Sequence, residues 1–317
     1  MTGPTPKTGP EPERRPGRNS GPKSGRVPAL AHRLQDLLFR GLLALIMALP
    51  YERRVPLMGW LMARLIAPLA GYNRRIRANV ALVRPDMTEA EIRALCRAVP
   101  DNLGRTVAEI YSGRDFTDRI ARVTPTGPGL AALDAAQAEG RPVILVSGHF
   151  GNYDAFRAAM AQRVGALGAL YRPMNNPFFN AHYVRAMSGI AEPMFARGRR
   201  GLAQMVKFLR QGNVVALLSD QHVGKGTLLD FLGKPAPSAL SAAEMALKYN
   251  AVLIPVYGIR QPDGLSFRVE LESPIPHSDP VTMMQAASDS LAAQIEKHPE
   301  QWLWVHRRWK PERRAGK

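Results

Sequence analysis

The segment that most constrains the fold runs from Val143 to Asp154 and reads VILVSGHFGNYD. Its opening run is apolar and is bounded by Pro142 and Gly148, a pattern that predicts a short buried strand. From residue 152 to 163 the apolar spacing changes to that of a helix. A buried strand that passes through a glycine-flanked turn into a helix is typical of α/β architecture.

Beyond Thr88 the chain alternates between helical and strand-like patterns. Helical patterns cover residues 89–112, 128–139, 152–163, 177–189, 199–211, 238–249 and 280–297. Strand-like runs lie at 143–147, 164–171, 191–196, 213–219, 251–259 and 266–272. This alternation predicts an α/β domain over residues 73–312, with a largely parallel central sheet flanked by helices and with functional groups at the strand ends. Residues 313–317 are predicted to form a basic tail.

The N-terminal part of the chain has a different character. Residues 1–30 are rich in proline, glycine and basic side chains and hold too few apolar groups to offset the entropy of ordering, so a disordered tail is predicted. Residues 31–72 contain two apolar helical patterns separated by Pro50, which predict a membrane-associating helical hairpin. The first pattern is shorter than the roughly 20 residues that cross a bilayer. A tilted single span and two ordinary core helices are the alternatives.

The charge of the chain indicates anionic partners. Its 43 lysines and arginines against 26 acidic residues give a formal net charge of +17. An anionic membrane surface, an anionic lipid and an acidic carrier protein all satisfy that charge. Nucleic acid is not expected, because no helix-turn-helix, zinc-finger or aromatic RNA-binding signature accompanies it. The single cysteine, Cys96, excludes an intramolecular disulfide and is interpreted as a packing residue.

His149 and Asp154 are the first candidates for chemistry. The predicted turn places His149 at the carboxyl end of a strand and Asp154 in the first turn of the next helix, where the helix dipole favours a negative charge. An imidazole held by a carboxylate is a general base near neutral pH. The alternative is a histidine that caps the helix beside an ordinary first-turn acid. No metal or organic cofactor is expected, because the sequence lacks H-E-x-x-H and glycine-rich nucleotide-binding motifs. The absence of G-x-S-x-G argues against a serine hydrolase.

Several separated segments together resemble one protein family. SGHFGNYD resembles the H-x4-D/E signature of the glycerolipid acyltransferase (lysophospholipid acyltransferase) superfamily. The segments that narrow the resemblance follow in order as YRPMNNPFF from Tyr171, Arg185, LLSDQ from Leu217, DFLGKPAP from Asp230 and HPEQWLWVHRRWK from His298. Their order is that of the late (secondary) acyltransferases of lipid A biosynthesis, the lauroyl and myristoyl transferases. The resemblance covers about residues 35 to 312.

The resemblance implies a reaction and a location. Members move a fatty acyl group from acyl carrier protein onto a hydroxyl of a lipid A precursor at the cytoplasmic face of the inner membrane, with no cofactor beyond the acyl donor, here acyl carrier protein or acyl-CoA. Carried over, His149 is the general base and Asp154 the acid that orients it. Arg185 matches a functional arginine and Asp220 the aspartate of the D-Q/H element. One departure is Asp154 itself, because the best-known lipid A transferases have glutamate there, which weakens the claim to a particular substrate.

Further candidates surround this pair. Asp220 and Gln221 follow a second apolar strand and are expected at the same rim of the sheet as His149. Arg172 and Arg185 are candidate ligands of lipid phosphates or sugar carboxylates. Asn176 is a candidate ligand or a helix cap. Arg199, with Arg197, Arg200 and Lys207, forms either a site for phosphate or the carrier protein or a solvated helix face. The tryptophans near His306 form either an interfacial patch or part of the core.

Two other functions are also compatible with the sequence. One is acylation of another lysolipid, such as a glycerophospholipid, an aminolipid or a mannosylated inositol lipid. The other is a non-catalytic basic protein that binds membranes.

Overall fold

The computed structural model describes residues 29–310 of the protein. Its helices are α1 (Ala29–Met47), α2 (Tyr51–Leu61), α3 (Ala67–Leu69), α4 (Tyr72–Val83), α5 (Glu89–Tyr111), α6 (Arg114–Ile120), α7 (Gly129–Ala138), α8 (Tyr153–Val164), α9 (Pro177–Ser188), α10 (Arg199–Leu209), α11 (Ser241–Lys248) and α12 (Pro280–Lys297). Its strands are β1 (Val143–Ser147), β2 (Leu167–Tyr171), β3 (Met194–Ala196), β4 (Val214–Leu218), β5 (Thr227–Phe231), β6 (Lys234–Ser238), β7 (Val252–Arg260) and β8 (Phe267–Leu271). A π-helical turn, Met62–Ile66, joins α2 to α3.

The central sheet has six strands in the order β3-β2-β4-β1-β7-β8. All neighbouring pairs are parallel except β7 and β8, which are antiparallel. This confirms the predicted α/β class with a largely parallel sheet flanked by helices. β1 is an interior strand whose five residues are all buried, as its unbroken apolar run predicts.

Alternate residues of β1 enter two different cores. Val143 and Leu145 pack in the larger cluster on one face of the sheet, and Ile144 and Val146 pack with α11 and α12 on the other. The period of two in strand side chains produces this division. Because both faces of β1 are covered, the strand delivers the following turn to a fixed position at the carboxyl edge of the sheet.

One pair of strands was absent from the sequence prediction. β5 and β6 form a separate antiparallel hairpin. The two prolines of β6, Pro235 and Pro237, hide its strand character, because proline cannot donate to a ladder and is confined to edge positions. The first two residues of β6 are exposed, so the segment also lacks the continuous apolar run of a central strand.

The N-terminal helices do not confirm the predicted hairpin of residues 31–72. α2 packs chiefly against α5 rather than against α1. The approach is close because Gly104 of α5 faces α2, where a Cβ would come within 2.4 Å of the Met58 carbonyl oxygen. The predicted tail of residues 1–30 falls outside the described residues except for Ala29 and Leu30, which begin α1, and the predicted tail of residues 313–317 also lies outside them.

Within residues 29–310 no single helix combines the length and apolar composition that a bilayer crossing requires. One bent pair of helical segments, 51–69 and 72–83, meets at 86° and satisfies those two criteria jointly.

Candidate active site

The turn after β1 holds His149 through its backbone. The His149 carbonyl accepts from the Leu303 N–H at 3.0 Å, and the Gly151 N–H donates to the Gln301 carbonyl at 2.9 Å. Gly151 has a φ of +56°, and a Cβ there would lie 2.0 Å from the Gly258 carbonyl oxygen. Only glycine satisfies both demands. The turn is therefore clamped between β7 and the C-terminal segment that follows α12.

Asp220, directly beyond β4, is the carboxylate that contacts the imidazole. His149 Nδ1 lies 2.7 Å from Asp220 Oδ1, and the His149 N–H donates to Oδ2 at 2.8 Å. The Trp302 indole N–H donates to the same Oδ2 at 2.9 Å. β1 and β4 are neighbours in the sheet, so their carboxyl ends bring the two side chains together. The expectation that Asp220 lies at the rim beside His149 is confirmed.

The charge state of Asp220 sets the histidine tautomer. Burial alone raises the pKa of Asp220, but the charge of His149 and the hydrogen bonds from it outweigh burial and hold that pKa well below its usual range. An ionised carboxylate can only accept, so Nδ1 carries the proton. Nε2 is then left with its lone pair, which is the arrangement of a general base.

The structure does not bring Asp154 to His149, so its predicted orienting role is wrong. Asp154 is fully buried and pairs with Arg157, one turn further along α8. Arg157 in turn donates to the Ala191 carbonyl at 2.9 Å, beside β3. Burial raises the pKa of Asp154, against the opposing charge of Arg157. The first turn of α8 thus directs this carboxylate into the core between α8 and β3, although the sequence spacing to His149 is short.

Three side chains surround the His149 ring on its remaining sides. Gln221 Nε2 lies 3.4 Å from His149 Nε2, so the structure brings this predicted residue to the base. The rings of Tyr153 and His306 stand edge-on to the imidazole, with centroids 5.4 Å and 4.8 Å away. Burial, followed by the charge of His149, lowers the pKa of His306 to about 4, so this second imidazole is neutral at pH 7.

A small cleft gives access to the base. It is lined by His149, Tyr153 and residues of α5 and the C-terminal segment, including Leu103, Trp302 and Leu303. The His149 side chain retains 16% of its exposure, whereas Asp220 retains none. The His149 ring is therefore accessible to a reactant, whereas the Asp220 carboxylate behind it is shielded from solvent.

The predicted arginine ligands lie apart from this pair and face solvent. Arg172 follows β2 at the same carboxyl edge of the sheet, Arg185 lies in the last turn of α9, and Arg199 begins α10. All three are exposed, and among the described residues none of their side chains makes an ion pair or hydrogen bond. Their role as ligands stays a prediction. Asn176 caps α9 through the Phe178 N–H at 3.0 Å, which confirms its capping alternative.

The structure decides between the two alternatives for the tryptophans near His306. Trp302 and Trp304 are buried in an aromatic core, which confirms packing rather than an interfacial patch. The contacts of Trp302 with Asp220 and of His306 with His149 could not be inferred, because Asp220 and Trp302 are 82 residues apart. The concentration of aromatic residues and one histidine in HPEQWLWVHRRWK was the available signal. Among residues 29–310 no cluster of His, Cys, Asp and Glu could hold a metal ion.

Comparisons with known proteins identify the family. A family model described as bacterial lipid A biosynthesis acyltransferase matches residues 27–311. The lipid A biosynthesis lauroyltransferase of Escherichia coli K12 is 26% identical over 281 residues, covering 85% of this chain and 89% of that protein. The palmitoleoyltransferase of lipid A biosynthesis from the same strain is 25% identical over 280 residues, with the same coverage of 85% and 89%. A phosphatidylinositol mannoside acyltransferase of Mycobacterium tuberculosis H37Rv is 25% identical over 248 residues, covering 75% of this chain and 78% of that protein.

The family model spans all of the described residues, and its match includes every residue of the His149 site. The protein therefore belongs to the bacterial lipid A biosynthesis acyltransferase family and is a lipid acyltransferase.

Proposed function

We propose that this acyltransferase moves a fatty acyl group from the thioester of acyl carrier protein, or of acyl-CoA, to a hydroxyl of a lipid A precursor, as a late acylation. The observation that carries the proposal is the pairing of His149 Nδ1 with the buried Asp220, which places the lone pair of the neutral ring on Nε2, the atom that acts as the base. The lauroyl and palmitoleoyl transferases among the relatives support the acceptor class.

The reaction follows from that geometry. His149 Nε2 takes the proton of the acceptor hydroxyl, and the oxygen attacks the thioester carbonyl. The tetrahedral intermediate collapses, the C–S bond breaks and an ester forms. The departing thiolate takes the proton back from the imidazolium, so the base is regenerated. Asp220 stabilises the transient imidazolium, and the Gln221 amide, 3.4 Å from Nε2, lies within reach of the developing oxyanion.

Exposed basic residues support an anionic acceptor and an acidic acyl carrier. Arg172 and Arg197 follow adjacent strands at the catalytic edge of the sheet, and the Arg197 N–H donates to the Tyr171 carbonyl at 2.7 Å. Arg199 lies two residues further on, at the start of α10. We place the phosphates of the lipid or the acidic face of the carrier on this edge. No role for nucleic acid is proposed.

We also propose attachment to the cytoplasmic face of the inner membrane. α1 exposes a row of leucines, of which Leu38 and Leu45 are 75% and 74% accessible. Leu69, at the end of α3, is 91% accessible. Arg64, which is exposed five residues before Leu69, suits anionic headgroups. A vesicle flotation assay tests this proposal, because L38E/L45E should release the protein from anionic vesicles. The exposed Leu228 of β5 supplies the control variant, L228E, which should still float.

A mannosylated inositol lipid is the second candidate acceptor. The mycobacterial relatives, named phosphatidylinositol mannoside acyltransferases, are about as similar to this chain as the lipid A enzymes. Asp154 also stands where the best-known lipid A transferases have glutamate. The acceptor must therefore be tested directly.

The deciding experiment is a transfer assay with purified protein in detergent. An acyl carrier protein that carries a labelled acyl chain is incubated with a tetra-acylated lipid A precursor and, in parallel, with a phosphatidylinositol mannoside and a lysophospholipid. Transfer to the lipid A precursor supports the proposal, whereas transfer only to another acceptor replaces that substrate. H149A should lose activity by about 100-fold or more. H277A is the matched control, because His277 bonds the Ala251 carbonyl at the opposite end of β7.

A further inference from the structure

A buried ion pair lies beneath the catalytic turn. Glu109 of α5 is fully buried, and Arg260, the last residue of β7, is 7% accessible. The Arg260 guanidinium binds the Glu109 carboxylate through both terminal nitrogens, with Nη1 2.5 Å from Oε1 and Nη2 2.7 Å from Oε2. Neither residue belongs to a motif in the sequence. The acyl-transfer chemistry does not use either one directly.

Both members of the pair reach the turn that carries His149. Glu109 Oε2 also accepts from Asn152 Nδ2 at 2.7 Å. Arg260 Nε donates to Asn102 Oδ1 at 2.7 Å, and Asn102 Nδ2 donates to the Gly151 carbonyl at 3.0 Å. The ion pair therefore holds two consecutive residues of the turn from below.

Asn152 transmits this contact to α8. Its Oδ1 accepts from the Asp154 N–H at 2.8 Å and so caps the helix, while its amide nitrogen is held by Glu109. Arg260 is tied on its other side, because its N–H donates to Gln301 Oε1 at 2.9 Å and the Gln301 carbonyl accepts from Gly151. One network thus joins α5, β7, the turn and the C-terminal segment.

The energetics of such a pair indicate positioning rather than stability. Removing two charges from water costs about as much as their attraction returns, and apolar residues of the same size often serve a core equally well. A planar guanidinium bound at two points does, however, fix distance and angle more strictly than apolar packing. Here that strictness applies to the backbone two and three residues beyond the base.

We infer that Glu109 and Arg260 are positioning residues, which hold the turn through Asn152 and Asn102 so that His149 stays paired with Asp220 and presents Nε2 to the acceptor hydroxyl. The inference deepens the proposed acyl transfer and rests on it for its catalytic readout. Its structural readout, the state of the His149 ring, is independent of any substrate.

The first test replaces both charges together. E109L/R260M leaves no unpaired charge in the core, so the fold should survive, whereas E109L alone leaves Arg260 buried without its partner. The double variant should lose about 100-fold in kcat, the scale expected for a displaced catalytic group, with little change in the KM of the acyl donor. A purely structural pair would lower the melting temperature and leave kcat per folded molecule unchanged.

The second test cuts the link at the turn. N152S keeps an oxygen that can cap α8 but cannot reach Glu109, and it should lower kcat by about 10-fold. D279S is the matched control, because Asp279 caps α12 through the Val281 N–H at 2.9 Å and lies outside the site. D279S should leave kcat unchanged. N152S decides the matter where the double variant does not fold.

Nuclear magnetic resonance of histidine-labelled protein gives the independent readout. In the native protein the Nδ1 proton of His149 should show the downfield signal of a hydrogen bond to a carboxylate, and that signal should weaken or shift in E109L/R260M and in N152S. Variants that fold with native kcat and an unchanged His149 signal overturn the inference. A native protein that acylates no tested acceptor overturns the proposed function instead, and the ring signals still test the positioning.

Discussion

Two buried carboxylates, Asp220 just beyond β4 and Asp154 in the first turn of α8, have opposite environments in the fold. Asp220 faces the imidazole of His149, and its pKa is held below the usual range. Asp154 faces Arg157, and its pKa is raised by burial. Both side chains are fully shielded from water. Burial alone therefore does not decide what a carboxylate does in this protein.

The group opposite each carboxylate makes the difference. Asp220 receives three hydrogen bonds, from the His149 ring, the His149 backbone and the Trp302 indole, and so is stable as an anion beside a base. Asp154 receives its side-chain hydrogen bond from Arg157, and its Oδ2 has no partner among the described residues. The environment of Asp220 suits proton transfer at His149. The environment of Asp154 suits a structural contact between α8 and β3.

The largest expected effect separates the two by activity. D220N should lower kcat by about 1,000-fold or more, because an amide no longer fixes the Nδ1–H tautomer or stabilises the imidazolium. Its melting temperature should also fall, because the low pKa of Asp220 means that the ionised carboxylate stabilises the folded chain at neutral pH, so kcat is compared per folded molecule. Steady-state transfer assays beside thermal unfolding test this expectation. A D220N enzyme with more than about a tenth of native kcat would contradict the assignment of Asp220.

The converse expectation concerns stability. D154N removes the charge that pairs with Arg157 and leaves a buried guanidinium, which should cost about 3 kcal/mol in the free energy of unfolding. The kcat per folded molecule should fall far less than in D220N. Urea denaturation gives the stability and also the folded fraction, by which the measured activity is corrected. Equal losses of kcat in D154N and D220N would contradict the different roles assigned to the two carboxylates.

A smaller effect is expected in acid. Because the pKa of Asp220 is lower in the folded than in the unfolded chain, the unfolded chain binds more protons as the pH falls below about 4, and stability is lost there. For Asp154 the sign is reversed, since its raised pKa makes the folded chain bind more protons. D220N should therefore lose less stability than the native protein between pH 4 and pH 3. Parallel stability curves by urea denaturation would argue against the depressed pKa.

Local patterns in the sequence predict the position of His149 but not its partner. The unbroken apolar run of β1, bounded by Pro142 and Gly148, predicted both the strand and the placement of His149 at its end. The partner of His149 was assigned by local spacing to Asp154, but it comes from Asp220, which is 71 residues away. That pairing depends on β4 lying beside β1, and strand order is a property of the whole sheet rather than of any local pattern.

The network of Glu109 and Arg260 was unpredictable for a related reason. The two residues are 151 positions apart, and each lies in an otherwise ordinary amphipathic or apolar segment. A charged residue in such a segment normally indicates a solvated face. Only the packed fold shows that both are buried and that they meet under the turn.

The smallest expected effect comes from charges that face solvent. Arg172 is exposed at the catalytic edge, and its charge should attract an anionic acceptor through water without contributing to the chemical step. R172Q should raise the acceptor KM by about 2- to 5-fold at low salt, leave kcat unchanged and lose its effect near 0.5 M salt, where screening is strong. R210Q is the matched control, because Arg210 is also exposed but lies at the C-terminal end of α10, away from that edge. A salt-sensitive rise in KM for R172Q alone would show that position, and not net charge, makes this arginine part of the acceptor site, whereas equal effects in both variants would reduce it to one contributor to the +17 charge of the chain.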